Sequence, residues 1–285
     1  MAILDGRKVS GEMLERLSHD VKRMQLSHLQ PKLAVILVGD NPASLSYIKQ
    51  KKKACEKTGV AWEQIDYSTA VTTDELVAKI HELNKDIKTH GILVQLPLPD
   101  HIFTPDVFKA IDPKKDVDGF TAYNLGKMFL SKSFEDLAPC TPMGVIRMFE
   151  YYDIDVKGKE AVIVGHSNIV GKPLAAMLLN RDATVTICHV HTEDLAAHTK
   201  RADIVCVAVG KANLITEDMV KVGAIVVDIG FNRLDNGKMV GDADFKGLEK
   251  KVNWITPVPG GCGPMTVSCL IENTVRAAMR IHNFK

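Results

Sequence analysis

A few groupings in this 285-residue sequence are of types, and at spacings, that could do chemistry. Tyr47 and Lys51 stand four apart in Asp40-Asn41-Pro42-Ala43-Ser44-Leu45-Ser46-Tyr47-Ile48-Lys49-Gln50-Lys51, so on a helix they share one face. A lysine there could carry a proton beside a phenol. The basic run through Lys49, Lys52 and Lys53 equally suits a solvated helix face. Gln95 interrupts the apolar run Ile92-Leu93-Val94-Gln95-Leu96, and a buried amide must find a partner. Asp116-Val117-Asp118-Gly119-Phe120 sets two carboxylates at a glycine, as a polar anchor or as a solvated turn.

A further pattern is Val162-Ile163-Val164-Gly165-His166-Ser167-Asn168-Ile169-Val170-Gly171. An apolar run ends at one glycine and a helix opens near another, which turns backbone N–H groups toward a bound pyrophosphate. Ser167 stands where the second glycine of G-x-G-x-x-G would be, so a plain strand-to-helix turn stays open. The next apolar run ends in His189-Val190-His191, with no acid to accept from a ribose 2′-hydroxyl, which permits NADP. No carboxylate or cysteine stands at ligand spacing from those imidazoles, so they read as surface rings and no metal is expected.

Alternating strand and helix patterns must hold these groups. Leu33–Val38, Trp62–Tyr67, Gly91–Leu96, Ala161–Val164, Thr184–Cys188, Ile204–Val209 and Ala224–Ile229 read as strands, several apolar throughout as in parallel sheets. Between them, Ala43–Thr58 reads as a helix stopped by Gly59, and Thr72 with Glu75 forms a capping box. Thr141-Pro142 reads as an N-cap and first-turn proline, Asp235-Asn236-Gly237 as a turn between short strands, and Val267–His282 as a last helix. Repeated strand–helix units predict a mostly parallel sheet and an α/β architecture. Residues 97–140 hold five of the 12 prolines and read as the join between two domains.

With 36 Lys+Arg against 35 Asp+Glu, the formal charge of +1 gives no general attraction to nucleic acid or to an anionic membrane. Composition, 46% hydrophobic and 25% charged, is that of a folded globular protein. No run approaches the length of a membrane span. Asp5, Arg7 and Lys8 stand where a signal peptide would be apolar. Six cysteines without a C-x-x-C pair fit a reduced, cytoplasmic protein.

Taken in order, Asp40-Asn-Pro-Ala-Ser44-x-Ser-Tyr47-x-x-x-Lys51, Val94-Gln-Leu-Pro-Leu-Pro99 and Lys115-Asp-Val-Asp-Gly-Phe120 resemble the methylenetetrahydrofolate dehydrogenase/cyclohydrolase family. So do Pro139-Cys-Thr-Pro142, Gly165-x-Ser-x-x-Val-Gly-x-Pro173, Val227-Asp-Ile-Gly230 and Thr256-Pro-Val-Pro-Gly-Gly-x-Gly-Pro-Met-Thr266. The resemblance implies two domains around a cleft: an α/β folate-binding catalytic domain over 1–138, completed by the C-terminal helix 267–285, and a Rossmann-type NADP domain over 139–266. It implies Lys51, Tyr47 and Gln95 as catalytic residues, with Asp118 on the pterin and Ser44, Gly261 and Pro264 on the folate. It implies cofactor contacts from Gly165, His166, Ser167, Ile169, Val170, Gly171, His189, His191 and Ile229. Many members have Arg at His166 and Ser or Arg near Val190, so NAD is not excluded as an alternative to NADP. The implied reactions are oxidation of 5,10-methylenetetrahydrofolate to the methenyl form and its hydrolysis to 10-formyltetrahydrofolate. A small-molecule folate partner and a homodimer are expected with them. Another two-domain NAD(P) dehydrogenase would leave Gln95, the Asp-Val-Asp-Gly block and the Pro-Gly-Gly loop unexplained. A binding protein without catalysis on the same fold is the rival of a different class.

Overall fold

The structure, a computed structural model, describes residues 1–284. In chain order its strands are β1 (Ala2–Ile3), β2 (Lys32–Val38), β3 (Ala61–Tyr67), β4 (Gly91–Val94), β5 (Glu160–Val164) and β6 (Thr184–Cys188). They continue with β7 (Ile204–Val207), β8 (Ile225–Asp228), β9 (Asn232–Arg233), β10 (Met239–Val240) and β11 (Trp254–Ile255). The chain separates into two compact units. One holds residues 11–127, 135–140 and those from 267 onward, the other residues 1–10, 128–134 and 141–266.

In the first unit β3, β2 and β4 form a parallel sheet with β2 central. Its apolar run is covered on both faces, which is why Leu33–Val38 is almost wholly buried. Ile36, Val38, Ile92 and Val94 pack with Leu76, Ile80 and Val107 in one core cluster. The chain leaves β2 toward β3 on one side and returns to β4 on the other, so the C-terminal end of β2 is a topological switch point. The helix Pro42–Thr58 starts there. Asn41 Oδ1 accepts from the Ala43 and Ser44 N–H groups at 2.9 and 3.3 Å, and Pro42 sits where no N–H is needed. Gly59, at φ +82°, ends it by donating to Cys55 O. Thr72 and Glu75 complete the expected capping box.

The second unit is a six-stranded sheet in the order β1-β11-β8-β7-β5-β6, with parallel registers throughout. Its core gathers Val162, Val164, Val205, Val207, Val226 and Ile255. β9 and β10 form the antiparallel hairpin expected around Gly237.

Four sequence expectations change. Residues 1–10 group with the six-stranded sheet, because Ala2 N–H donates to Asn253 O at 2.7 Å and Leu4 N–H to Ile255 O at 2.9 Å. The helix expected to be capped by Thr141 begins at Cys140, and the Thr141 hydroxyl instead meets that of Thr266 at 2.9 Å. The last helix runs Cys262–Ile281 and absorbs Gly263 and Pro264, since a first-turn proline lacks only an N–H that the helix would not use. Residues 97–140 are no simple join. They contain the helices Thr104–Ala110 and Ala122–Met128, and most of them belong to the first unit.

Candidate active site

Lys51 lies more than two turns into the Pro42–Thr58 helix, on the face that covers the sheet. It is only 7% exposed, and its Nζ donates to Gln95 Oε1 at 2.8 Å. Gln95 follows β4, with its N–H extending the sheet to Ile36 O. Its Nε2 donates to Leu96 O at 2.7 Å, so the amide's orientation is fixed with oxygen toward the lysine. Ser44 Oγ donates to the same Leu96 carbonyl at 3.3 Å, tying the start of the helix to the end of β4. Burial holds the Lys51 ammonium below the ordinary lysine range, opposed by the negative charge of Asp118. Asp118 shifts the other way: burial pushes its carboxyl up, while Lys51 pulls it down and Asp116 adds to the rise. Tyr47, half-buried and one turn before Lys51, has its phenol pushed up by burial and is therefore neutral.

The two acids of the Asp-Val-Asp block do different things. Asp116 is 1% exposed and forms the hub of its loop. Its Oδ1 accepts from the Gly119 and Phe120 N–H groups at 2.9 and 3.1 Å, and its Oδ2 from Thr121 N–H at 2.8 Å and Asn124 Nδ2 at 2.9 Å. That carboxylate is a fastener, neither solvated nor available. The segment runs beside β4, with Ile92 N–H donating to Lys115 O, and so delivers Asp118 to the lysine's surroundings.

Two neighbours of this group were not singled out from the sequence. The Cys140 thiol is buried against Asp118, which with burial pushes it well up, so it is a thiol and not a thiolate. Asn273 Nδ2 donates to Val117 O at 2.9 Å and Ala138 O at 3.0 Å, fixing the backbone just before Asp118 and just before Cys140. The Pro139-Cys-Thr-Pro142 block contained the first signal; a lone asparagine in an apolar helix was the only trace of the second.

In the other unit Gly165 ends β5 with φ +121°, and a Cβ there would meet Ala208 O at 2.5 Å. A Cβ on Gly171 would run into Gly165 O, so both positions require glycine. Ser167 Oγ accepts from the Val170 and Gly171 N–H groups at 3.1 and 3.4 Å, which spends its side chain on shaping the turn. Ile169 and Val170 are partly buried behind it, and His166, His189 and His191 are exposed. The helix Gly171–Leu179 then presents its positive end. A closely approachable backbone, a helix start and a β6 tip without an acid fit the phosphates of a dinucleotide. Ile229 N–H continues the sheet to Val207 O. Before it, Asp228 is 3% exposed and accepts from the Gly230, Asp242 and Ala243 N–H groups, with burial pushing its carboxyl up to about 6. Gly261 and Pro264 belong to this unit too. Gly261 N–H donates to Pro257 O at 2.7 Å, and a Cβ on it would meet Thr256 at 2.7 Å.

A three-stranded parallel unit with a buried lysine–amide pair, in one chain with a Rossmann-type sheet and its glycine turn, defines a two-domain α/β enzyme of the nicotinamide-dependent class. Residues 4–118 match the description "Tetrahydrofolate dehydrogenase/cyclohydrolase, catalytic domain", and residues 139–282 its "NAD(P)-binding domain". The chain belongs to the tetrahydrofolate dehydrogenase/cyclohydrolase family. The bifunctional protein FolD of Nautilia profundicola is 54% identical over 98% of this chain and 97% of its own. The crystal structure of FolD from Campylobacter jejuni, a methylenetetrahydrofolate dehydrogenase/cyclohydrolase, superposes with a TM-score of 0.95 at 49% identity over 98% of this chain and 99% of that one. The Trypanosoma brucei dehydrogenase-cyclohydrolase, solved with NADP and an inhibitor, gives a TM-score of 0.95 at 33% identity over 98% of both chains.

Proposed function

We propose that this protein oxidises 5,10-methylenetetrahydrofolate to 5,10-methenyltetrahydrofolate with NADP and hydrolyses the product to 10-formyltetrahydrofolate, using Lys51 as the proton carrier. The observation that carries the reading is the buried Lys51 Nζ–Gln95 Oε1 hydrogen bond of 2.8 Å. A solvated basic face would leave that lysine in water. A carboxylate partner would hold the ammonium protonated, whereas a neutral amide orients the nitrogen and lets it give up its proton.

In the hydrolytic step, water adds to the cationic methenyl carbon. The neutral Lys51 amine takes the first proton released from that water and returns it to the folate nitrogen as the carbon–nitrogen bond breaks, while the adduct's hydroxyl loses its proton to solvent and becomes the formyl carbonyl. The substrate's own positive charge lowers the lysine's proton affinity further, in the same direction as burial. Asp118 anchors the pterin ring, Tyr47 lies against the substrate's flat rings, and Ser44 keeps the loop after β4 in place. When bound, NADP supplies the hydride acceptor; the turn from Gly165 to Gly171 with His189, His191 and Ile229 holds it. Gly261 and Pro264 contribute folate contacts. We assign the folate chemistry to residues 1–138 with the C-terminal helix and the nucleotide to 139–266, apart from the N-terminal strand. The protein acts as a homodimer in the cytoplasm. The last assignment draws on six cysteines all free and buried, and among the described residues no helix is long and apolar enough to cross a membrane.

The test pairs two assays on purified Lys51→Met protein. Methenyltetrahydrofolate hydrolysis falls by about 10²–10⁴, while nicotinamide reduction with methylenetetrahydrofolate retains a larger share. Equal loss of both, with the fold intact by circular dichroism, removes the proton-carrier role.

A further inference from the structure

The loops that follow β5, β7 and β8 lie side by side at the C-terminal end of the six-stranded sheet. Val164 pairs with Val207 and Val207 with Asp228, and Ala208 N–H donates to Val164 O at 2.8 Å. The chain places β6 on one side of β5 and β7 on the other, so the strand order reverses between β5 and β7. In doubly wound sheets a ligand lies in the crevice that such a reversal opens. One side chain ties the loops at this edge together. Asp242, after β10, is wholly buried, and its carboxylate meets N–H donors. Its Oδ2 accepts from Val209 N–H at 2.7 Å and Gly210 N–H at 3.0 Å, and its Oδ1 from Asn232 Nδ2 at 2.8 Å.

We propose that Asp242 is a positioning residue for the dinucleotide: its carboxylate fixes the loop after β7 against the glycine turn, so that the crevice is formed before the cofactor arrives. The proposal rests on the NADP reading above. Val209 and Gly210 are exposed, yet both turn their N–H groups inward to this buried carboxylate. That loop is what Gly165 faces. A Cβ on Gly165 would meet Ala208 O at 2.5 Å and Val209 Cγ1 at 3.3 Å, so any displacement of the loop changes the space that the glycine keeps open. Asn232, on β9, brings the segment after β8 to the same carboxylate.

The carboxylate is itself held in place. Asp242 N–H donates to Asp228 Oδ1 at 2.9 Å, Ala243 N–H to Asp228 Oδ2 at 2.8 Å, and Ile215 N–H to Asp242 O at 3.0 Å. Two glycines make room for the acids: a Cβ on Gly230 would run into the Asp242 carboxyl, and one on Gly241 into that of Asp228. Burying neighbouring acids is costly, and an apolar pair would fill the same space at less cost. What an acid adds is an acceptor for N–H groups of loops that belong to no strand.

The experiment reads the loop without cofactor and then the affinity for NADP. In the intact protein without nucleotide, residue-resolved hydrogen exchange should find the Val209 and Gly210 amides slowed by about a hundredfold or more despite their exposure. Exchange at free-peptide rates overturns the proposal. Asp242→Ala should release those two amides while β7 stays protected. It should also raise the NADP dissociation constant in calorimetry by about tenfold or more, because the loop must then be ordered on binding. Asn232→Asp sets a second carboxylate against Asp242 Oδ1 and should weaken NADP in the same direction. Adding Asp242→Asn to it lets the two side chains exchange roles, keeps an oxygen for the loop N–H groups, and should restore affinity to within about threefold. This second pair decides the matter where Asp242→Ala does not fold. A lower melting temperature with unchanged NADP affinity, or a double variant that binds no better than Asn232→Asp, makes Asp242 a structural residue only and leaves the NADP reading standing. Wild-type protein that binds no NADP overturns that reading and the positioning role together.

Discussion

The two sites of this protein are built by opposite means. Around Lys51 the chemistry is in side chains removed from water: Lys51 and Gln95 are 7% and 9% exposed, and a single amide oxygen holds the ammonium. Around Gly165 the work is done by backbone, with glycines that admit no Cβ, while the polar side chains at the rim are exposed. A buried side-chain site gains reactivity from desolvation and shifts proton affinities with every neighbour. A backbone site gains shape, and its electrostatics come from a helix end and from whatever stands at the rim. The contrast teaches where each is fragile.

The largest break is expected from Gln95→Glu. It puts a negative charge 2.8 Å from the lysine nitrogen, holding the proton that Lys51 must release. Hydrolysis at neutral pH should fall by about 10² or more, with the active limb of the pH–rate profile moving to higher pH, and stopped-flow measurement of methenyl decay from pH 6 to 10 checks it. An unshifted profile removes the reason for an amide at this position.

The second break separates the units by acid. His90, just before β4 and beside the start of β2, accepts Lys32 N–H at Nδ1 and meets His282 across Nε2 at 3.0 Å, and burial lowers its pKa to about 4. The unfolded chain takes a proton below about 6.5 that the folded one refuses. Stability of the Lys51 unit therefore falls as pH drops from about 6.5 toward 4, by on the order of 3 kcal/mol at full effect. Asp228 in the other unit, raised to about 6, has the reverse sign: folded, it keeps a proton that the unfolded chain loses, so acidification over the same range adds stability. Hydrogen exchange corrected for intrinsic rates, read on peptides from β2 and from β8 at pH 7 and pH 5, should show protection moving in opposite directions.

A third variant, Gly171→Ala, drives a methyl group into Gly165 O. It should weaken dinucleotide binding and cost about 1–3 kcal/mol in melting experiments, with methenyl hydrolysis largely kept. The smallest effect is Thr72→Ala, which removes a capping box that includes no residue of either site and should cost about 1 kcal/mol without altering either turnover number.

Features set by local geometry were readable in the residue order. Gly59, the Thr72–Glu75 box and the Asp235-Asn236-Gly237 turn each report a short-range constraint, and each is where it was expected. The parallel sheets followed from apolar runs without alternation. The glycine turn was readable for the same reason, since Gly165 and Gly171 are demanded by the chain's own backbone. Less of the Lys51 site was accessible. Asp116 and Asp118 are two residues apart in one motif, yet one closes a loop through four hydrogen bonds and the other faces the lysine; only the fold assigns them. Asn273, more than 150 residues from Val117, acts through a contact that no local pattern encodes. β1 was invisible because two residues give no periodicity, and the start of the last helix because Gly263 and Pro264 look like loop.

That short β1 has a consequence for how the protein is made. Ala2 and Ile3 pair with Trp254 and Ile255, so β1 has no partner until residues 254 and 255 have been made. β2, β3 and β4, by contrast, all lie within residues 32–94 and can assemble while the rest is still being synthesised. Non-local pairing of this kind is slow to form. Until it forms, one edge of β11 stands open to other chains, which makes β1 a late seal on that edge.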